Sequence, residues 1–296
     1  MPPKTRKRHF TCVNQRFVLV YAIVMDDSDS IDREPIVDLS DFVDDLQASG
    51  RYTFTPADVR ARLPKSDVAL DNALRRLKQR GRVVSPRRGF HVIVPTEYRS
   101  AGAPPPSWFI DDLMKFLRQP YYVGLLSAAA VHGASHQQPM VFQVITDRPT
   151  RRALAERVRV EFRMSRSVAI TPVTATQTET GSMRVATPEA TAIDLVRFAD
   201  ACGGWSNVAT VLAELAEQID PERLGSLAAT AKAPEVQRLG FLLDRASQTQ
   251  LAGPLLRALS AKRYRPVPLA PAAPRGDDRA VSPWRVIANQ DVEPDL

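Results

Sequence analysis

TPADVRARLPKSDVALDNALRRLKQRGRVVSPRRGFHVIV, residues 55–94, is the stretch on which the reading of this chain turns. Thr55-Pro56-Ala57-Asp58 opens a short helix, and Pro64-Lys65 interrupts it. Ser66 is a good N-cap for a second, longer helix, because its hydroxyl can accept a bond from a free N–H of the first turn. Leu70, Leu74 and Leu77 recur at helical spacing, and Gly81 ends the run. Val83-Val84-Ser85 and Phe90 to Val94 then read as two strands about a basic turn, Pro86-Arg87-Arg88-Gly89. Two helices followed by a hairpin with a cationic tip predict a winged helix-turn-helix.

At 100° per residue the three leucines share one stripe and should face a small core. The opposite face carries Lys65, Val68, Asn72, Arg75 and Gln79, with Arg76 at its border. Asn and Gln can pair with adenine, Arg with guanine, and an outward valine suits a thymine methyl. Arg87 and Arg88 at the wing are placed for phosphates, which position a protein without reading sequence. The expected DNA-binding set is therefore Lys65, Ser66, Val68, Asn72, Arg75, Arg76, Gln79, Arg87 and Arg88. The bland alternative is a solvated, Arg-rich surface helix of a small α/β domain.

Working outward, Ile36, Leu39, Phe42, Val43 and Leu46 repeat at helical spacing and give the first helix of this domain, with Asp38, Asp41, Asp44 and Asp45 turned from DNA. Arg51-Tyr52-Thr53-Phe54 should pair with the wing strands. The expected organisation is an extension at 1–33, a winged domain at 34–98, a Gly/Pro linker at 99–106 and a larger domain at 107–296. In the last, Ser107 to Leu117 and Tyr121 to His132 read as helices, the second largely buried. Strands are expected at 141–146, 158–163, 167–174 and 184–186. Thr187-Pro188-Glu189-Ala190 opens a helix with Thr at the N-cap and Pro at the first position. Further helices should fill 206–262, with a closing strand in Trp284 to Asn289. The fold class is α+β.

The chain has 296 residues and a net charge of +7, with 44% apolar side chains. That is ample for cores, and the positive balance suits a polyanionic partner. Cys12 and Cys202 are too few for a disulfide framework or a zinc site, which suits a reducing cytoplasm. Lys4 to Met25, basic then apolar, resembles a secretory leader but lacks a small-residue cleavage site before Asp26-Asp27-Ser28-Asp29. We therefore expect Met25 to begin the natural chain, and no membrane span. His132 and His136 have metal-capable spacing, but the intervening glycine and the absent glutamate favour a capping role. Glu189 should satisfy its own helix terminus, and Asp194 should pair with Arg197 or Arg238. No nucleophile elbow, phosphate-cradling loop or Cys–His arrangement appears, so no catalytic residue, metal or cofactor is expected.

Several later motifs carry a family likeness. They are Tyr121-Tyr122-Val123-Gly124-Leu125-Leu126-Ser127-Ala128-Ala129-Ala130, His132-Gly133 with Gln137-Gln138-Pro139, and Val141-Phe142-Gln143-Val144. To these are added Ala186 to Val196, Gln237-Arg238-Leu239-Gly240-Phe241-Leu242-Leu243 and Trp284-Arg285-Val286-Ile287. With these the chain, over about residues 36–296, resembles the AbiEi antitoxins of type IV toxin–antitoxin systems. The resemblance implies an N-terminal winged helix that represses its own operon at promoter repeats. It also implies a second domain opposing a nucleotidyltransferase-like toxin without a stable complex. The rival readings are a stand-alone winged-helix regulator with a ligand-sensing or dimerising domain, and a nuclease or phosphotransfer enzyme guided by the winged domain. The oligomeric state is not legible in the residues.

Overall fold

Helix periodicity and good caps shape the first part of the computed structural model, which describes residues 37–134, 140–274 and 279–292. Asp38 caps α1 (Leu39–Ala48), accepting from the Ser40 and Asp41 N–H groups. Strand β1 (Thr53–Phe54) leads into α2 (Pro56–Arg62), where Thr55 and Asp58 form a reciprocal capping box. Ser66 then caps α3 (Asp67–Gln79), and Gly81, at φ 66°, turns the chain into β2 (Val83–Arg87) and β3 (Phe90–Ile93). The three strands form an antiparallel sheet in the order β1-β3-β2. Leu39, Phe42, Val43, Leu46, Phe54, Val59, Leu63, Leu77, Val83 and Ile93 close a core beneath it. Leu70 and Leu74 pack at its edge.

The other side of this sheet is not free. Val84, Phe90, Val92 and Val94 belong to the core of the larger body that follows. Tyr52 and Tyr98 both meet the Trp108 ring edge-on, at 4.8 and 5.2 Å between centroids. Phe90 lies 5.5 Å from Phe116, and the Thr53 hydroxyl donates to Asp112 at 2.6 Å. Residues 99–106, a Gly/Pro linker by composition, therefore run between two surfaces that are packed together, and Ala103 within them is buried.

The body begins with α4 (Ile110–Leu117) after a 3-10 turn at Pro106–Trp108, so the expected helix starts later than Ser107. The largest departure follows it. Tyr121 to His132 does not form one helix: Tyr121–Val123 is strand β4, and only Leu125–Val131 is helical (α5). Two adjacent aromatics and a valine favour the pleated surface, and Gly124 breaks the run. Gly124 lies so close to Ile145 that a Cβ there would meet the Ile145 side chain at 2.8 Å.

Strands β5 (Phe142–Thr146), β6 (Ala153–Ala155), β7 (Val158–Met164), β8 (Val173–Thr178) and β9 (Gly181–Ala186) complete a mixed sheet in the order β6-β7-β5-β4-β9-β8. Of the strand expected at 167–174, the part before Val173 is a turn, and only Val173 and Thr174 belong to β8. Helix α6 (Pro188–Arg197) is buried from Glu189 to Val196 and packs against α5, α7 (Trp205–Leu215), α8 (Pro221–Thr230) and α9 (Ala233–Arg245). Helix α10 (Ala252–Ser260) follows, and β10 (Val267–Pro268), β11 (Ala280–Val281) and β12 (Val286–Ile287) form a small final sheet. The chain is thus α+β, as expected. Among the described residues no helix is long and apolar enough to cross a membrane.

Candidate nucleic-acid interface

The geometry of α3 follows from its sequence. Ser66 Oγ accepts from the Ala69 N–H at 3.4 Å, and Arg60 Nε donates to Asp67 Oδ1 at 2.9 Å, tying α2 to the start of α3. With Leu77 buried and Leu70 and Leu74 half-buried, the far side of the helix meets solvent. Lys65, Ser66, Val68, Asn72, Arg75, Arg76 and Gln79 are all exposed, Val68 by 71%. Asn72 Oδ1 accepts from Arg75 Nη2 at 3.1 Å, which holds these two side chains on one patch.

Charge is sorted between the helices. Arg62 is paired with Asp45 at 3.2 Å, and Arg82 with Asp44, so the carboxylates of α1 hold arginines that flank α3. Lys65, Arg75, Arg76, Lys78 and Arg80 form no ion pair among the described residues. Five cations without an ion-pair partner among the described residues, on and beside one exposed helix that also carries Asp67 and Asp71, make a surface suited to a polyanion.

The wing is less open than its sequence suggested. Arg88 is exposed, but β2 lies beside β6 of the body and Arg87 is half-buried there. Its Nε is buried without a partner among the described residues, and both desolvation and nearby Arg151 hold its pKa below the usual arginine range. Arg87 therefore does not stand at a free tip. The side of β2 that carries it packs against the body, a long-range contact that local patterning does not encode. Arg151 at that seam was not singled out from sequence; its only signal was the Arg151-Arg152 pair.

Beneath the helix, His91 is 5% exposed, its Nδ1 is 2.7 Å from Ser85 Oγ, and its ring lies 5.1 Å from Phe54. Burial, reinforced by Lys78, pushes its pKa down to about 4. It is a neutral core residue.

In the body, Asp194 and Glu235 share one arginine. Arg197 donates to Glu235 with Nε and Nη2 at 2.9 and 3.1 Å, and to Asp194 Oδ1 with Nη1 at 2.9 Å. Tyr122 donates its hydroxyl to the second Asp194 oxygen at 2.7 Å. Burial raises the Asp194 pKa to about 6 against the pull of Arg197. Arg238 does not join this cluster. Glu189 does not cap its own helix either: it accepts from the Asp220 N–H at 3.0 Å, at the head of α8. His132 ends α5 with Nε2 2.7 Å from the Ala186 carbonyl of β9, while His136 lies outside the described residues.

A model of the AbiEi antitoxin C-terminal domain matches residues 122–245. The resemblance read from the motifs thus holds over that segment, which contains β4 from Tyr122 onward, the Asp194–Arg197–Glu235 cluster and the Gln237-Arg238 motif. No curated protein matches the chain. Among solved structures, the crystal structure of the RV2827C protein from Mycobacterium tuberculosis is similar, with a TM-score of 0.61 at 18% identity. The match covers 83% of this chain and 89% of that one, and at such identity it speaks to the fold alone.

Proposed function

We propose that this protein, whose residues 122–245 match a model of the AbiEi antitoxin C-terminal domain, is a type IV antitoxin that also represses its own operon. In this reading residues 34–98 are a winged helix-turn-helix, and α3 enters the major groove of promoter DNA. Asn72, Arg75, Arg76 and Gln79 face base edges there, with Val68 against thymine methyls. Lys65, the Ser66 end of α3 and Arg88 meet phosphates, whereas Arg87 serves the seam with the body. One observation carries the reading: α3 presents its amide and guanidinium side chains to solvent, with no carboxylate paired to its arginines among the described residues. A merely solvated helix gains from ion pairs along its own surface; on α3 Asp67 is paired with Arg60 of α2, and Arg75 and Arg76 form no ion pair among the described residues.

The body would oppose a nucleotidyltransferase-like toxin without forming a stable complex, and would do so without chemistry of its own. Its buried carboxylates Asp194 and Glu235 are held in an ion cluster with Arg197. The natural setting for both roles is the cytoplasm.

The test places the upstream DNA before a reporter and the neighbouring toxin gene under separate control. Wild-type protein should repress the reporter and restore growth. Gln79→Ala with Arg76→Ala should relieve repression while growth is still restored. Repression unchanged in that variant would overturn the DNA-reading face, and failure of the wild type to restore growth would overturn the antitoxin role.

A further inference from the structure

A cleft of about 700 Å³ in the body lies among α6, α7, α9 and the 270–273 loop. It falls in the size range of small-molecule sites, about 300–1,000 Å³. Three cations line it, Arg197, Lys232 and Arg238, against two carboxylates, Asp200 and Glu235. Arg197 is held between Glu235 and Asp194, so that cluster brings no free cation to the wall and leaves Arg238 and Lys232 as the open ones.

Arg238 is different. Its Nε donates to the Pro268 carbonyl at 3.0 Å and its guanidinium sits 5.9 Å from the centroid of Trp205, which fixes the side chain. Its two terminal nitrogens find no protein acceptor among the described residues, although burial lowers its pKa by penalising the charge. A half-buried guanidinium held on both sides with its donor end open resembles a preformed anion clamp. Lys232 on the same wall is exposed and lacks a carboxylate partner among the described residues. Gly204 and Trp205, which begin α7, also line the cleft, and Gly204 offers no side chain to cap that helix. Small apolar residues, Val196, Ala199, Pro234 and Ala270 among them, form the remaining wall, with room for far more than a single oxyanion.

We propose that this cleft binds a small organic phosphate, its phosphoryl group held by Arg238 and Lys232 and its organic part against the Pro/Ala wall. The inference does not depend on the DNA-reading face. It is tested on the full chain by calorimetric titration at constant ionic strength with inorganic phosphate, glucose 6-phosphate and adenosine monophosphate, with sodium sulfate as the control for plain anion screening. Wild type should show saturable, one-to-one binding of at least one organic phosphate, tighter than inorganic phosphate or sulfate. Loss of a charge-assisted bond should weaken it about ten-fold or more in Lys232→Gln, an exposed position that leaves the fold intact, and in Arg238→Gln. Arg75→Ala should bind as wild type does. No saturable organic phosphate binding by wild type would overturn the site. So would equal affinity in Lys232→Gln and wild type, or binding no tighter than that of sulfate.

Discussion

Replacing Arg197 by Met removes the one cation shared by two buried carboxylates, whose side chains are only 3% and 8% exposed. The guanidinium gives three hydrogen bonds of 2.9–3.1 Å to them, and Met retains most of the apolar stem. Breaking one partner of a buried ion cluster typically costs about 3–5 kcal/mol, because the remaining charge is left in a medium that solvates it poorly. With two carboxylates stranded, the upper half of that range is expected near neutral pH. The loss should depend on pH in a defined direction. Asp194 already has its pKa raised by burial to about 6, above its ordinary value of 3.8, and losing Arg197 raises it further. An acid whose folded pKa is raised contributes its stability below the unfolded pKa and loses it as pH rises through the folded one. The penalty of Arg197→Met should therefore be largest at pH 8 and shrink towards pH 5, where Asp194 gains its proton. Urea unfolding followed by circular dichroism at pH 5, 6.5 and 8 measures this. A penalty below about 1 kcal/mol, or one equal at pH 5 and 8, would refute the idea that the cluster is an electrostatic unit.

Gly240→Ala should destabilise the body even though alanine is the better helix former by about 1 kcal/mol. A Cβ at this position of α9 would overlap the six-membered ring of Trp284, a fully buried residue, and overpacking of this kind costs about 1–3 kcal/mol or more; a thermal midpoint equal to or above wild type would count against the packing. His91 should make the N-terminal module acid-sensitive. Its pKa is depressed to about 4 from 6.5, so its stability contribution is complete above pH 6.5 and falls as pH drops towards 4. By that shift the loss approaches about 3 kcal/mol, and His91→Phe should flatten the acid limb of a urea-midpoint profile; an unchanged limb would show that other groups govern it.

Much of the N-terminal module was legible because its signals are local. Ser66 before α3, the capping box of Thr55 and Asp58, the leucine stripe and Gly81 each act within one or two turns, and the observed elements follow them closely. The exposed face of α3 could be listed for the same reason. What local patterning could not supply was the partner of each surface. Tyr121-Tyr122-Val123 beside an alanine-rich run looked helical, yet it sits mid-sheet between β5 and β9. The turn at Arg87-Arg88 looked free, yet Val84 and Phe90 of the same hairpin join the body core. Arg197 was a candidate partner for Asp194 because it lies one turn away, whereas Glu235, 38 positions on, joins only through the packing of α6 on α9. The 700 Å³ cleft is likewise built from segments distant in sequence.

The central claim is that α3 reads DNA through the Asn72–Arg75 patch, and a fluorescence anisotropy titration of the upstream DNA tests it most directly. Against wild type, Arg75→Ala should weaken specific binding by about 1–3 kcal/mol, roughly 5- to 150-fold, while affinity for an unrelated duplex changes far less. Equal affinity of the two proteins for the upstream DNA at matched salt would contradict the account.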